Sequence, residues 1–389
     1  MSDKIHRSSM TRLLPSAVVV LLLLARWSAA GSDVAMFRGN PQHSGIYSVR
    51  NGAGNDGEPR LKWKFKTDGW VRSSAAMAHG IVCIGSDDGN LYGLELASGK
   101  LKWRVKTGDW VRSSPTIVEG TVYVGSIDGH LYATDLATGQ RKWTFQTAGP
   151  IYSSPAVDAA TIYLGGHDGH LHAVNARDGK LKWKYNAKAP IYSSPAVVDG
   201  MVFVGVMSDR LVGVDSVTGE EKMRIRTTRE SVYSSPAVAD GVVYFGSADR
   251  ILRAVDIATS EEKWSFKARR AIYNSPVVAG GKILFGSVDS NVYALDLLSG
   301  ETKWSFSLNK NRGWMPASPA IVSGWLCFGA EDGRLIALDL NTGEKSWVFR
   351  AGDMVRSTPA MAAGVICFGC DDGYVYALEI VPAAAGRDR

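Results

Sequence analysis

Cysteine is scarce in this chain. Four cysteines in 389 residues cannot staple a fold of this length, and no two of them are adjacent. Charge of one sign is scarce too: 44 Lys and Arg against 38 Asp and Glu leave a formal +6. No segment has the ~20 consecutive apolar residues that a membrane-spanning helix needs, and the one apolar run, near the start, falls short of it. Nor does any part show the 3.6-residue apolar period of an amphipathic helix. These absences exclude a disulfide scaffold, a multi-span membrane protein and a helical solenoid. Ordinary hydrophobic (45%) and charged (21%) contents exclude a disordered or collagen-like chain.

The one apolar run, Leu13 to Ala25, follows Lys4, Arg7 and Arg12 and precedes the small residues Ser28-Ala29-Ala30. That order is expected of a signal peptide over residues 1–30, cut before Gly31. No cysteine stands near the cut, so a lipid anchor is not expected. Residues 1–30 carry Lys4, Arg7, Arg12 and Arg26 against Asp3, a net +3, so the remainder is left at only +3. Basicity therefore gives no argument for nucleic acid. The expected location is exported, periplasmic or extracellular, with no membrane span after cleavage.

What the chain has in abundance is repetition. A unit recurs from Ser73, Ser113, Ser153, Ser193, Ser234, Asn274, Ala317 and Ser357, at spacings of 40, 40, 40, 41, 40, 43 and 40 residues. Each copy reads as four short strands, as in SPAV, VVYFG, LRAVD and KWSF from Ser235 on. Five copies carry Asp-Gly between the second and third strands: Asp88-Gly89, Asp128-Gly129, Asp168-Gly169, Asp332-Gly333 and Asp372-Gly373. This predicts two-residue hairpin turns with positive φ at both central residues. Four short strands at this period predict an all-β, eight-bladed β-propeller. Trp103, Trp143, Trp183, Met223, Trp264, Trp304 and Trp347 mark the fourth strands; the eighth copy has none, but LKWKFKT, Leu61 to Thr67, sits in register with Trp63. The N-terminal strand is expected to complete the last blade and close the ring. The expected organisation is a signal at 1–30, an N-terminal segment at 31–59 with FRGNPQHSG, a propeller at 60–380 and a tail at 381–389.

The runs Ala133–Trp143, Ala294–Trp304 and Ala337–Trp347 resemble the tryptophan-docking repeat of PQQ-repeat (quinoprotein dehydrogenase-like) proteins, and MFRGNPQHSG is similar to the start of many small proteins of that kind. The resemblance covers nearly all of the chain after residue 30 and includes BamB-like propellers. It implies a propeller with inter-blade tryptophans, and leaves two functions open. One is a non-catalytic binding scaffold. The other is a PQQ-dependent dehydrogenase, which needs Ca²⁺ on oxygen ligands beside the quinone and a carboxylate base. The family's enzymes often carry two adjacent cysteines, absent here, and are longer. The reading taken is the scaffold: no catalytic residue and no cofactor expected, PQQ with calcium as the alternative, and a monomer binding a protein or anionic ligand of the cell envelope.

Cys83, Cys327 and Cys367 share one second-strand position, where other copies have Tyr123, Tyr163, Phe203 and Tyr244, and are expected to be small buried filler. Cys367 and Cys370 lie about 10 Å apart along one strand and are not expected to bond to each other; a bridge from Cys370 to Cys83 or Cys327 stays open. In GHDGHLH, Gly166 to His172, the hairpin is expected to make His167 and His170 cross-strand partners with His172 on the same face, a candidate transition-metal site.

The residues just before each first strand break the repeat most informatively. In order they are Arg72, Arg112, Tyr152, Tyr192, Tyr233, Tyr273, Pro316 and Arg356, and they should ring one channel mouth. Two residues earlier stand Trp70, Trp110, Trp314 and Met354 on the arginine side, against Pro150, Pro190, Ser231 and Ala271 on the other. Half of the mouth is Trp/Arg and half is Tyr, the types enriched in binding hot spots. Three arginines in an arc are expected to repel until an anion bridges them, which makes these residues the candidate ligand or partner site.

Overall fold

A computed structural model of the chain describes residues 37, 39–42, 46–47, 57–308 and 317–382. The expected signal, the tail beyond 382, Trp314 and Pro316 lie outside the described residues.

Among the described residues the chain is all-β, in eight sheets. In blade 1 the strands are Ala76–Ala78, Ile81–Ser86, Asn90–Glu95 and Leu101–Lys106. Blades 2 to 7 repeat that plan from Thr116, Ala156, Ala196, Ala237, Val277 and Ala320. Blade 8 consists of Ala360–Ala362, Val365–Gly369 and Tyr374–Pro382, and its fourth strand is Gly57–Lys66. The inner strands of successive blades touch all the way round, including blade 8 against blade 1. The expected propeller, closed by the N-terminal strand, is what forms. No helix among the described residues is long and apolar enough to cross a membrane.

The second strands are apolar almost without interruption and buried along their length, because both faces of each sheet pack on a neighbouring blade. The fourth strands alternate exposed and half-buried residues, as outer strands should. A single-residue bulge interrupts the third-to-fourth pairing just before the docking position, as between Arg141 and Trp143, and the same bulge lies between Leu61 and Trp63. It turns the indole out of the sheet toward the next blade. Trp63 Nε1 donates to Leu96 O at 2.9 Å and Trp103 Nε1 to Leu136 O at 2.8 Å. Six of the indoles, all but Trp347, also lie on a turn glycine of the next blade: a Cβ on Gly139, whose φ is +73°, would fall 2.7 Å from Trp103. Where Met223 replaces the indole, the facing turn residue is Ser260, at φ +61°.

Inside the ring, backbone N–H groups donate to the hydroxyl of the next blade. The belt runs Ser74 to Ser114, Ser154, Ser194, Ser235, Ser275 and Ser318, and Thr358 N–H donates to Ser74 Oγ at 2.9 Å.

The Asp-Gly hairpins differ from the expected two-residue turns. Ser86 pairs with Asn90, so the loop holds three residues. Gly89 donates to Ser86 O at 3.1 Å, and of the Asp-Gly pair only the glycine has positive φ. This is a type I turn followed by one left-handed residue. The aspartate gains by it: its carboxylate caps the turn N–H groups and takes the side chain four residues on. Tyr92, Tyr132 and Tyr293 donate to Asp88, Asp128 and Asp289 at 2.6, 2.6 and 2.8 Å, and His172 takes that place in blade 3.

In blade 5 the partner is Arg253, whose Nη2 lies 2.6 Å from Asp249 Oδ2; the Asp249 side chain is 2% exposed. Burial alone would raise the Asp249 carboxyl, but Arg253, the Ser247 hydroxyl and the Thr228 N–H outweigh it and hold it at about 2. A carboxyl depressed in the folded state gives stability that is fully present above its unfolded pKa and is lost as pH falls through the folded one. We expect roughly 2 kcal/mol to disappear between about pH 4 and pH 2. Urea unfolding of wild type and Asp249→Asn across that window measures it: the acid-dependent loss should shrink in the variant, and equal pH slopes would refute it.

All four cysteines are free and buried. Burial pushes the thiols of Cys83, Cys327 and Cys367 up, as filler positions should. Cys370 Sγ donates to Asp353 O at 3.1 Å, so the open bridge to Cys83 or Cys327 does not form.

Candidate functional site

One mouth of the channel opens into a cavity of about 570 Å³. Its wall includes Arg72, Arg112, Arg356 and the four tyrosines, and its lower rim is the hydroxyl belt. The arginines and tyrosines expected at the mouth are therefore brought together, while Trp70 and Trp110 line a second cavity beside it with Asp87 and Asp371. The reason is local: each stands in the loop entering an inner strand, and those loops converge on the axis.

The tyrosines form a continuous aromatic arc. Tyr152 stacks on Tyr192 at 4.9 Å between ring centroids, Tyr192 meets Tyr233 edge-on at 6.1 Å, and Tyr233 meets Tyr273 at 5.2 Å. Burial pushes the Tyr192 phenol up, so it stays a neutral donor. Trp70, Trp110, Tyr192 and Tyr273 are the large aromatics that remain exposed among the described residues, and all four belong to the mouth.

The arginine half corrects the expectation of a bare cationic arc. Arg112 grips Asp87 with Nε–Oδ1 at 3.1 Å and Nη2–Oδ2 at 2.8 Å. Arg72 grips Asp371 at 3.0 Å through both nitrogens. Arg356 reaches Asp371 at 3.2 Å and Glu331 at 3.4 Å. Three guanidiniums thus face three carboxylates, and the arc is neutral as a whole. Burial works against the Arg112 charge, but Asp87 beside it more than compensates and holds the guanidinium above its ordinary range. Arg72 and Arg112 also lie over the indoles of Trp70 and Trp110, at 4.2 and 4.3 Å from the ring. Each plane is fixed on both sides, an arrangement that keeps a recognition surface rigid.

Asp87, Glu331 and Asp371 were not expected as site residues. They hold one repeat position, the residue before the turn aspartate, occupied elsewhere by Ile127, His167, Met207, Ala248 and Val288. An acid stands there only where the next blade brings an arginine to the mouth: Glu331 before Arg356, Asp371 before Arg72, Asp87 before Arg112. Comparing that one column across the repeats would have found them.

The three-histidine site is not what the fold assembles. With a three-residue loop, Gly166 rather than His167 faces His170, its N–H donating to His170 O at 2.9 Å. His167 instead turns to the mouth, 4.6 Å from Tyr152 and 6.0 Å from Tyr192 between centroids, where burial lowers its pKa. Asp168, His170 and His172 come together, with ligand atoms within 4.8 Å of one another. Burial also lowers the His172 pKa, against the pull of Asp168. His172 Nε2 lies 3.0 Å from Asp168 Oδ2, the place of a tyrosine hydroxyl in other blades, and a transition metal would have to use that same carboxylate.

Two family models match the sequence: "Beta-alanine-activating enzyme, beta-propeller" over residues 43–281 and "Outer membrane protein assembly factor BamB" over residues 186–381. No curated protein matches it significantly in sequence. Among solved structures, BamB from Moraxella catarrhalis superposes with a TM-score of 0.73 at 17% identity, over 82% of this chain and 99% of that one. The quinohemoprotein alcohol dehydrogenase ADHIIG from Pseudomonas putida HK5 gives 0.79 at 14% identity, over 92% and 82%. A europium-containing methanol dehydrogenase gives 0.78 at 12%, over 90% and 98%. At these identities the likeness is one of fold.

Proposed function

This chain belongs to the PQQ-repeat, BamB-like β-propellers, and from that premise we propose that it is an exported, non-catalytic scaffold that binds a protein segment at the channel mouth. The observation that carries this is the confinement of the exposed large aromatics to the mouth, around a cavity walled by tyrosines and by arginines locked on their own carboxylates. Rigid Tyr, Trp and Arg side chains give contact area at low entropy cost. Because the arginine charges are already balanced, the surface suits a polypeptide of mixed character better than a free anion.

The quinone reading is weaker on the residues present. Calcium takes six to eight oxygen ligands, carboxylates foremost. The described residues lining the mouth cavity include no Asp or Glu. A cavity of similar volume beside Trp70 and Trp110 holds Asp68, Asp87, Asp371 and Asp372. Of these, Asp87 and Asp371 are already paired with Arg112 and Arg72, and Asp372 accepts from Tyr376. Glu331 lines a smaller cavity beside the mouth cavity, but it faces Arg356, with Arg72 and Arg112 in the same lining. A divalent cation would sit against three guanidiniums, and no catalytic step is derived from such a site.

The test is selection of peptides from a displayed library on the immobilised chain, with Trp110→Ser and Tyr192→Ser as counter-targets. Enriched peptides should bind each variant at least tenfold more weakly while its melting temperature stays within a few degrees of wild type. Peptides that bind all three proteins alike would overturn the reading. A quinone absorbance band on adding PQQ and Ca²⁺ would favour the dehydrogenase.

A further inference from the structure

The channel itself holds a polypeptide, and it is the chain's own. The inner strands Ala196–Val198 and Ala237–Ala239 each pair with a neighbour on one edge and turn the other to the axis. On that free edge Val197 N–H donates to Pro41 O at 2.8 Å, and Val238 N–H to Gln42 O at 3.2 Å. Across the ring Ile46–Tyr47 runs parallel to Ala320–Val322 as a fifth strand of blade 7, with Ile46 opposite Ile321 and Tyr47 opposite Val322. Tyr47 is 4% exposed, in an apolar cluster with Met77 of blade 1, Trp325 of blade 7 and Met361 of blade 8. Gly39, at φ +85°, permits the approach to this strand: a Cβ there would lie 3.1 Å from Ile46 O. Phe37 reaches the lining of the mouth cavity.

None of these contacts is needed to close the ring. The closing strand is Gly57–Lys66, and the belt bonds from Ser74 round to Ser318 and from Thr358 to Ser74 use no residue of 37–47. What holds the segment is what holds a bound peptide: main-chain bonds to exposed strand edges and one buried aromatic anchor.

We infer that the inner wall of the propeller is a peptide-binding surface, and that its resident ligand is the segment Phe37–Tyr47, anchored by Tyr47. The surface takes an extended, mostly uncharged peptide with an aromatic residue behind a Pro-Gln turn into the channel. The occupant also shapes the mouth, since Phe37 leaves with it. The Tyr47 anchor and the strand-edge bonds involve neither Trp110 nor Tyr192, so peptide exchange and the rim variants fail independently even though Phe37 and Tyr192 line one cavity.

The experiment starts from the folded full chain, with a protease site in a Gly/Ser insert between residues 48 and 56. After cleavage and gel filtration without denaturant, the released N-terminal piece should co-elute with the ring at one to one. A fluorescent peptide of residues 35–48 should then exchange into the cut protein and not into the uncut one. The same peptide with Tyr47→Ala should compete at least tenfold more weakly. The proposal is overturned if the piece separates on the first column while the ring stays folded and monomeric, or if the Tyr47→Ala peptide competes as well as the native one.

Discussion

Deleting residues 1–66 should make the propeller associate and unfold many degrees lower than the full chain. Blade 8 would keep three strands, and Tyr374–Pro382, now paired along its length with Gly57–Lys66, would present a bare edge. Long unpaired edges recruit other chains. The same deletion removes Trp63, whose indole bonds Leu96 O and rests on Gly99 at the junction with blade 1. Trp63→Ala alone should cost about 3–5 kcal/mol. Trp347→Ala is the internal comparison: its Nε1 has no partner among the described residues, because the blade after it has no third-to-fourth turn to supply a carbonyl. Its loss should cost measurably less than that of Trp63. Sedimentation and urea unfolding measure both effects. A monomeric deletion as stable as wild type would show that the closing strand is dispensable.

The second large effect concerns the ion pairs of the mouth. Read from sequence alone, Arg72→Gln, Arg112→Gln and Arg356→Gln are surface changes that should leave stability alone. The structure reverses that expectation. Asp87 and Asp371 are only 5% exposed at the side chain, and the arginines are their cationic partners. Breaking a buried pair costs more than the pair contributes, because the remaining charge stays desolvated. The arginines are themselves partly in water, which trims the figure to about 1–2 kcal/mol per carboxylate. The triple variant should thus be destabilised by about 2–4 kcal/mol at pH 7. Adding Asp87→Asn and Asp371→Asn should restore most of it. Conversely, those two asparagines in the wild-type arginine background should create the bare cationic arc and bring in binding of polyanions that the native mouth lacks. Equal urea midpoints for wild type and the triple variant would show that the carboxylates do not depend on the arginines.

Much of this molecule is written in the period of the sequence. A forty-residue unit with four short strands cannot bury its faces alone, so its copy number is the blade count. The place of Trp63 ahead of the first copy also fixes which strand closes the ring. These features repeat, and each copy confirms the others. The sorting of Arg72, Arg112 and Arg356 from Tyr152, Tyr192, Tyr233 and Tyr273 was legible for the same reason: a break in symmetry shows only against symmetry.

What the tertiary structure alone decided involves partners from different blades or a single residue of loop length. Arg112 meets Asp87 across 25 positions, and Arg72 meets Asp371 across 299. The repeat column marks the acids, but only the fold shows that they pair with these arginines, because that depends on which way two loops face at the axis. One extra loop residue in GHDGHLH moved His167 from the sheet to the mouth, since side chains on a strand change face at every step. Residues 37–47 belong to no repeat, so periodicity is silent about them. The described ones among them, 37, 39–42 and 46–47, meet inner-strand edges and the mouth lining, and those edges face one channel only once the ring has closed.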